Sequence, residues 1–494
     1  MEDAHFSQRS ARRSIIHELL SLLKDSIPGL SFAPTPLTTN PLTPASSVVV
    51  FSYTLQNSIC TAAVLVAGRL GPAELSVAAF SLMLATALDT LGSQAFTGGV
   101  HPADLSVLFL RCVAMLWLLF VPIAVMWANM EPILLALGQE PYIAQGTQTF
   151  LRLLIVGVPG YIGFESLKKY LQCQGIMDAS TLVLIVVSPI NVVFNIVLVH
   201  YTPLGLYGTP LAVSATFWLA FALLAVYAAF SPTHARNKTW GGLRLRAAFS
   251  ARGCLLFLRL ALPGILMVGT EWAAFEIVAL AAGRLGSTAL AAQSVIMTSD
   301  QILNTIPFGI GVAASTRVGS LIGARSAHGA RFAGHMSALM SVLVGAVVML
   351  ALLATKDVFG YVFSDDEDVV RLVARVMPLL ASFQIADGLA GSCGGVLRGQ
   401  GRQHLGALFN VVAYYVLALP IGISLAFKYA LGLPGLWIGQ VVALFIVGFA
   451  EYGVVWLGTD WEGEVRKGIE RNRAEAMRQM AFVEDAETLC EGAE

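Results

Sequence analysis

The chain has 494 residues, of which 56% are hydrophobic and 12% are charged, and its formal net charge is -1. Soluble domains usually carry about a quarter of their residues as Asp, Glu, Lys and Arg, so this composition excludes an ordinary water-soluble protein. The balanced charge gives no reason to expect a nucleic-acid partner, and the six scattered cysteines indicate neither a disulfide framework nor a metal site.

In chain order, residues 1–44 come first and are predicted to be a flexible cytoplasmic tail, because a Pro/Thr-rich strip cannot pack a core. Twelve apolar segments follow, each near the roughly 20 residues that a helix needs to cross the hydrocarbon core. They lie at residues 47–67, 74–96, 105–128, 149–171, 179–200, 206–230, 256–282, 289–312, 332–354, 371–397, 406–428 and 434–457. Since they do not alternate as barrel strands do, they predict an all-α integral membrane protein.

The longest polar interruption, SPTHARNKTWGGLRLRAAFSARG, separates six apolar segments from six others. It predicts a two-lobed chain in which each lobe holds six helices. The predicted units are a first lobe at 45–231, a cytoplasmic linker at 232–255, a second lobe at 256–458 and a cytoplasmic C-terminal tail at 459–494.

Lys and Arg residues near the ends of the predicted helices concentrate on the side that holds both termini. Basic residues are retained on the cytoplasmic side, so we expect both termini in the cytoplasm. This distribution places Lys168, Lys169 and Arg398 among the cytoplasmic residues.

The two halves also share sequence. AGRLGPAELSVAAFSLM at 67–83 returns as AGRLGSTALAAQSVIMT at 282–298, each between the first and second helix of its half. YLQCQG at 170–175 aligns with VLRGQG at 396–401, and LGLYG at 204–208 aligns with LGLPG at 431–435. Two repeats of the same orientation are typical of transporters that move one bundle against another around a midplane site.

Ionisable residues inside the apolar segments are the functional candidates, because an acidic side chain at the bilayer centre is costly. Glu271 and Glu276 stand in the seventh segment and Asp387 in the tenth, while Asp89 and Asp300 lie nearer segment ends, where capping or packing explains them as well. Five residues turn a helix by about 140°, so Glu271 and Glu276 are not expected to face one place. Burial raises the pKa of a carboxyl group in general, which suits such a group to proton coupling.

Uncharged polar and aromatic side chains are further candidates for lining a cavity. The first set consists of amide side chains, some of them spaced so that they share a helix face; hydrogen bonding between helices is the alternative role for this set. The second set consists of aromatic residues that can bind an organic cation; packing is the alternative role for this set. The candidates are Gln56, Asn57, Asn191 and Asn195, and Tyr53, Tyr161, Trp272 and Tyr414.

Five stretches resemble the multidrug and toxic compound extrusion (MATE) family of transporters, in its eukaryotic form. They occur in the family's order and the likeness extends over about residues 45–457. The stretches are LGPAELSVAAFSLMLATALDTLGSQAF from Leu70, VPGYIGFESLKKYLQCQG from Val158, EWAAFEI from Glu271, IPFGIGVAASTRVGSLIGA from Ile306 and GSCGGVLRGQGRQHLGA from Gly391.

The resemblance implies two six-helix lobes around a central cavity and export of organic cations or metabolites in exchange for protons, with sodium the less favoured ion and no cofactor. It also implies that the acids at Glu271, Glu276 and Asp387 couple proton and substrate movement. The chain departs from its relatives at two positions. Ala63 stands where the bacterial members have an aspartate. Thr298 stands near the position at which some relatives have an acid, and Asp300 follows two residues later.

The sequence agrees less well with three other functions. A lipid-linked-sugar flippase shares the two-lobed plan but needs cationic side chains to hold phosphates, and a major-facilitator transporter needs an Asp-Arg-rich loop where this chain has TGGVHPADLS. An intramembrane enzyme lacks its HExxH or GxSxG motif, so we expect no enzyme. We expect a monomer in the plasma or vacuolar membrane, with a small organic cation as its substrate.

Overall fold

The computed structural model describes residues 48–57, 59, 91–99, 101–136, 141–364 and 366–491. Within those ranges the regular elements are helices and no strand occurs, so the all-α prediction is confirmed. The transmembrane helices that the structure describes, in whole or in part, are labelled α1–α12 in chain order, with α1–α6 in the first lobe and α7–α12 in the second, and a further helix, α13, follows them.

The first two helices are described in part, α1 over residues 48–57 and α2 over 91–98. The others are long and apolar enough to cross a membrane. Their bounds are α3 Asp104–Ala128, α4 Pro141–Ile155 with Val158–Cys173, α5 Asp178–His200, α6 Gly208–Phe230, α7 Ala251–Arg284, α8 Ser287–Leu303 with Thr305–Gly323, α9 Ala327–Thr355, α10 Glu367–Gln400, α11 Gln403–Lys428 and α12 Leu433–Trp456. The final helix, α13, is Trp461–Glu491, so most of the predicted C-terminal tail is helical.

Three of the transmembrane helices are irregular. Helix α4 bends by 46° between its two segments, next to Pro159 at the start of the second. Helix α8 is interrupted at Asn304, three residues before Pro307. Helix α11 contains a π-helical stretch, Val411–Ala418, of the kind that is frequent at functional sites.

The internal repeats adopt matching conformations. Gly175 ends YLQCQG with φ 78° and Gly401 ends VLRGQG with φ 82°, and each follows a transmembrane helix. Gly205 and Gly432, in the third repeat, have φ 53° and 62° ahead of the next helix. Residues other than glycine rarely adopt such left-handed backbone conformations. The two copies of each repeat therefore form the same type of turn. Residues 67–83, the first copy of the strongest repeat, lie outside the described residues.

The linker between the lobes is ordered and carries two short helices, Pro232–Asn237 and Leu245–Ala248. Arg111 of α3 donates to the carbonyl oxygens of Ala248 and Ala247, both at 3.1 Å. Helix α7 begins at Ala251, inside the segment predicted as linker, because the helix continues beyond its apolar stretch.

The membrane face that carries the linker and α13 is called the linker face below, and the lobes are joined there. Gln94 Nε2 of α2 donates to Gly399 O of α10 at 2.7 Å, and Thr97 Oγ1 donates to Ser320 O of α8 at the same distance. Asn472 of α13 adds a bond to Gln94 O. These contacts close the space between the lobes on the linker face.

Three basic residues that the sequence placed in cytoplasmic loops are buried instead. Lys168, Lys169 and Arg398 expose 1%, 0% and 4% of their surface and belong to α4 and α10. Their cytoplasmic placement stays a prediction, and the structure adds that a Lys or Arg near a helix end can fold inward when partners within the protein satisfy it.

Candidate functional site

The second lobe brings three carboxyl groups, those of Glu271, Asp300 and Asp387, into one region, the acidic cluster. Glu271 comes from the middle of α7 and is partly exposed, whereas Asp300 of α8 and Asp387 of α10 are buried. Both Asp300 and Glu271 lie within electrostatic range of Asp387. The cluster is thus assembled from three helices, and Glu271 is its accessible member.

Each carboxyl group accepts a hydrogen bond from a neutral donor on a different helix. Tyr414 Oη of α11 donates to Glu271 Oε1 at 3.1 Å. The donor to Asp387 Oδ2 is Asn304 Nδ2, at 3.1 Å. Gln384 Nε2 donates to Asp300 Oδ1, also at 3.1 Å. Neutral donors orient the carboxyl groups without cancelling a negative charge.

Helix periodicity explains why α8 and α10 pair here. Asp300 and Asn304 are four residues apart on α8, and Gln384 and Asp387 are three apart on α10, so each pair occupies one helix face. Asn304 also stands at the interruption of α8, where its side chain reaches across to α10. The sequence analysis missed Asn304 and Gln384, although this spacing relative to the predicted acids was visible.

Aromatic rings pack behind the acidic cluster. Phe275 lies 5.9 Å from Phe383 and 6.2 Å from both Tyr414 and Trp437, measured between ring centroids. Trp437 Nε1 donates to Gln293 Oε1 at 2.8 Å. These packed rings exclude water and hold the side chain of Tyr414 in place behind the cluster. Tyr414 is one of the candidates predicted from the sequence.

The two glutamates of α7 separate as their spacing predicted. Glu271 faces the acidic cluster, whereas Glu276 is exposed on the surface of the helix. No hydrogen bond or ion pair of Glu276 occurs among the described residues. Trp272, next to Glu271, is partly exposed. The coupling role of Glu276 remains a prediction that the geometry does not favour.

The first lobe holds a different network, centred on Lys168 and called the lysine network below. Lys168 Nζ donates to Glu165 Oε1 at 2.6 Å and to Gln56 Oε1 at 2.7 Å. Gln56 Nε2 donates to Tyr161 Oη at 2.7 Å, and the Lys168 ammonium lies 4.1 Å from the centroid of the Tyr53 ring. Gln56, Tyr53 and Tyr161 therefore surround a lysine of the protein itself.

The amides predicted to line a cavity in the first lobe do not form one set. Asn191 Nδ2 donates to Thr216 Oγ1 at 3.0 Å, and Asn195 Nδ2 donates to Asn191 O at 2.9 Å. Both asparagines are fully buried, which agrees with the alternative of hydrogen bonding within and between helices. Asn57 is exposed and donates to Gln301 O in the second lobe at 3.4 Å. Asp89 lies outside the described residues.

Comparisons with known proteins agree on one family. The MatE family model matches residues 49–197 and 263–423. An uncharacterised transporter of Schizosaccharomyces pombe is 39% identical over 417 residues, which cover 82% of this chain and 76% of the relative. Multidrug and toxin extrusion protein 1 of Homo sapiens is 33% identical over 406 residues, which cover 81% of this chain and 70% of that protein.

A solved structure extends the agreement to the fold. The crystal structure of the eukaryotic MATE transporter AtDTX14 matches with a TM-score of 0.80 and 29% identity, covering 87% of this chain and 98% of that one. An outward-facing multidrug resistance MATE transporter shares the fold with a TM-score of 0.74 at 16% identity.

Proposed function

The chain belongs to the MATE family of membrane transporters, and on that premise we propose that it exports organic cations, xenobiotics or metabolites in exchange for protons. The observation that carries this proposal is the acidic cluster, in which three carboxyl groups share one region and each accepts a hydrogen bond from a neutral donor among the described residues. The family is one of transporters, so an enzymatic activity is not proposed.

The chemistry of exchange follows from repulsion between like charges. Two carboxylates that share a site disfavour each other's ionised form. Binding of a proton or another cation therefore lowers the free energy of the cluster. A proton and an organic cation then compete for the same negative charge. Proton binding at Asp387 or Glu271 releases the organic cation, and proton loss allows the next one to bind.

Protons suit the cluster better than sodium does. Hard metal ions in proteins are surrounded by several oxygen ligands, whereas in the cluster one oxygen of each carboxyl group already faces an N–H or O–H donor. Trp272, beside Glu271 and partly exposed, is placed to attract an organic cation through its ring face.

Alternating access gives the direction of transport. We place the linker face, with both termini, in the cytoplasm, since basic residues are retained on that side. The contacts of Gln94 and Thr97 then seal the cytoplasmic side in the conformation described. Export delivers the substrate across the plasma or the vacuolar membrane, and one chain suffices as a monomer because it contains both lobes.

The test is uptake of labelled tetraethylammonium by proteoliposomes with and without an imposed proton gradient. We expect wild-type protein to accumulate the cation against its concentration gradient when the proton gradient is imposed. Asp387→Asn and Glu271→Gln should each reduce driven accumulation by roughly a hundredfold, because they remove a proton-exchanging group.

Glu276→Gln makes the same chemical change on the same helix outside the cluster and tests the remaining prediction that Glu276 takes part in coupling. The control is Glu462→Gln, which changes an exposed glutamate of α13. It should retain wild-type accumulation. Driven accumulation that persists in both cluster variants would remove these carboxyl groups from the mechanism, and wild-type protein that never responds to a proton gradient would refute proton coupling.

A further inference from the structure

Helix α12 carries a buried acid, Glu451, that the acidic cluster does not include. It lies five residues before the end of the helix at Trp456. Its exposure is 0%, and neither carboxyl oxygen has a hydrogen-bond partner among the residues that the structure describes. An ionised carboxylate in such a place is unfavourable, so this position needs an explanation.

Glycines on two other helices make the space that Glu451 occupies. A Cβ atom at Gly406 of α11 would lie 2.9 Å from Glu451 Oε1, and one at Gly394 of α10 would lie 3.4 Å from Oε2. Met267 of α7 closes the space from a third direction, because its thioether would contact the same two added atoms. The carboxyl group thus sits in a dry pocket between four helices.

The position of Glu451 along the membrane normal follows from its neighbours. Glu271 is four residues after Met267 on α7, which runs away from the linker face, and Arg398 is four residues after Gly394 on α10, which runs toward it. One helical turn rises about 5.4 Å. Glu451 therefore lies between the two residues along the membrane normal. It is about one turn closer to the linker face than Glu271 and about one turn farther from that face than Arg398.

In the part of the chain that the structure describes, few charged or titratable groups face this pocket. Glu271 from α7 and Arg398 from α10 lie within electrostatic range of Glu451, and the Cys393 thiol of α10 lies near it. On α12 itself, Tyr452 lies near Cys393 and packs against His335 of α9. Glu451 therefore lies between one acidic and one basic side chain.

We propose that Glu451 is a proton-binding residue on the route between the acidic cluster and the linker face. The inference rests on proton-coupled exchange as proposed above. A proton leaves the carboxyl group of Glu271, binds the carboxylate of Glu451, and is released at the linker face when the lobes separate there. Bound to a proton, Glu451 is neutral and fits the dry pocket while the linker face is closed.

Glu451→Gln tests this in proteoliposomes, with two assays on the same preparation. Counterflow exchange of labelled tetraethylammonium needs no net proton movement, whereas accumulation driven by a proton gradient does. We expect driven accumulation to fall roughly tenfold or more while counterflow persists, and Glu451→Asp, which keeps an acid, to recover driven accumulation. Glu462→Gln, which changes an exposed glutamate of α13, is the control and should leave both assays unchanged.

Driven accumulation that stays at the wild-type level in Glu451→Gln overturns the inference, as does an equal loss of both assays, which indicates a structural role. If Glu451→Gln does not fold, the pH profile of driven accumulation in Glu451→Asp decides, and an unshifted profile overturns the inference. Failure of the proposed function is distinguishable, because wild-type protein would then show no driven accumulation at all.

Discussion

The two lobes share one fold but surround their carboxyl groups with different partners. In the first lobe, Glu165 is paired with Lys168 at 2.6 Å, and both side chains are 0% exposed. In the second lobe, the carboxyl groups of the acidic cluster face Tyr, Asn and Gln donors. The ammonium group of Lys168 compensates the negative charge of the carboxylate, so a mobile cation is not attracted there. Neutral donors leave that negative charge available to a mobile cation. The duplicated halves thus keep equivalent turns but differ in the charge balance around their buried carboxyl groups.

The largest expected effect comes from breaking the ion pair of the first lobe. Lys168→Met leaves Glu165 buried without its cation, and removal of one partner from a buried pair costs about 3–5 kcal/mol. We expect a markedly lower melting temperature for the purified protein in detergent. The double variant Glu165→Gln, Lys168→Met should recover most of the loss, since neither member of the pair then carries a charge. Equal melting temperatures for Lys168→Met and wild type would contradict a structural ion pair.

A smaller effect should follow from removing one neutral donor of the second lobe. Asn304→Ala deletes the hydrogen bond to Asp387, and a hydrogen bond to a charged group contributes about 1.5–3 kcal/mol. We expect proton-driven uptake of tetraethylammonium to fall roughly tenfold, because each 1.4 kcal/mol corresponds to about a factor of ten. Asn129→Ala, an exposed asparagine of the first lobe, serves as the control, and equal uptake by the two variants would argue against the cluster.

A third, weaker effect concerns pH at the linker end of the first lobe. Burial lowers the pKa of His234 from its ordinary value of 6.5, while Tyr170 Oη lies 3.1 Å from its Nε2 atom. The folded protein thus binds this proton less readily than the unfolded chain. Stability is full above pH 6.5 and decreases as the pH falls from 6.5 toward the folded-state pKa.

His234→Asn should flatten this part of the melting-temperature profile without moving the pH profile of transport, since the residues proposed for proton coupling lie in the second lobe. Measurement of both profiles on one preparation checks the prediction. A shifted transport profile in this variant would show that the first lobe takes part in coupling after all.

The smallest effect is expected at an ion pair in water. Arg371 contacts Glu367 at 2.8 Å, but both side chains are more than 70% exposed, and exposed pairs contribute little to stability because solvent screens them. Arg371→Ala should leave the melting temperature unchanged, in contrast to Lys168→Met. A comparable drop in both variants would mean that burial is not what gives the pair of the first lobe its strength.

Local properties of the chain were enough to predict much of this architecture. Hydropathy predicts each transmembrane helix because lipid demands long apolar runs with internal hydrogen bonds. The cost of burying charge makes Glu271, Glu276 and Asp387 the leading candidates and adds Asp89 and Asp300, while the 140° turn between Glu271 and Glu276 already separates those two side chains. The repeated glycine-ended motifs predict equivalent turns in the two lobes.

Tertiary structure alone decided which partners these side chains have. Hydropathy does not distinguish a lysine that enters water from one that folds inward, so the burial of Lys168 and Lys169 was not predicted, although Glu165, three residues before Lys168, was a usable signal. Glu451 was not among the predicted residues either, and glycines on α10 and α11 enclose it. Such contacts depend on how helices far apart in sequence rotate and pack, and no local pattern encodes that rotation.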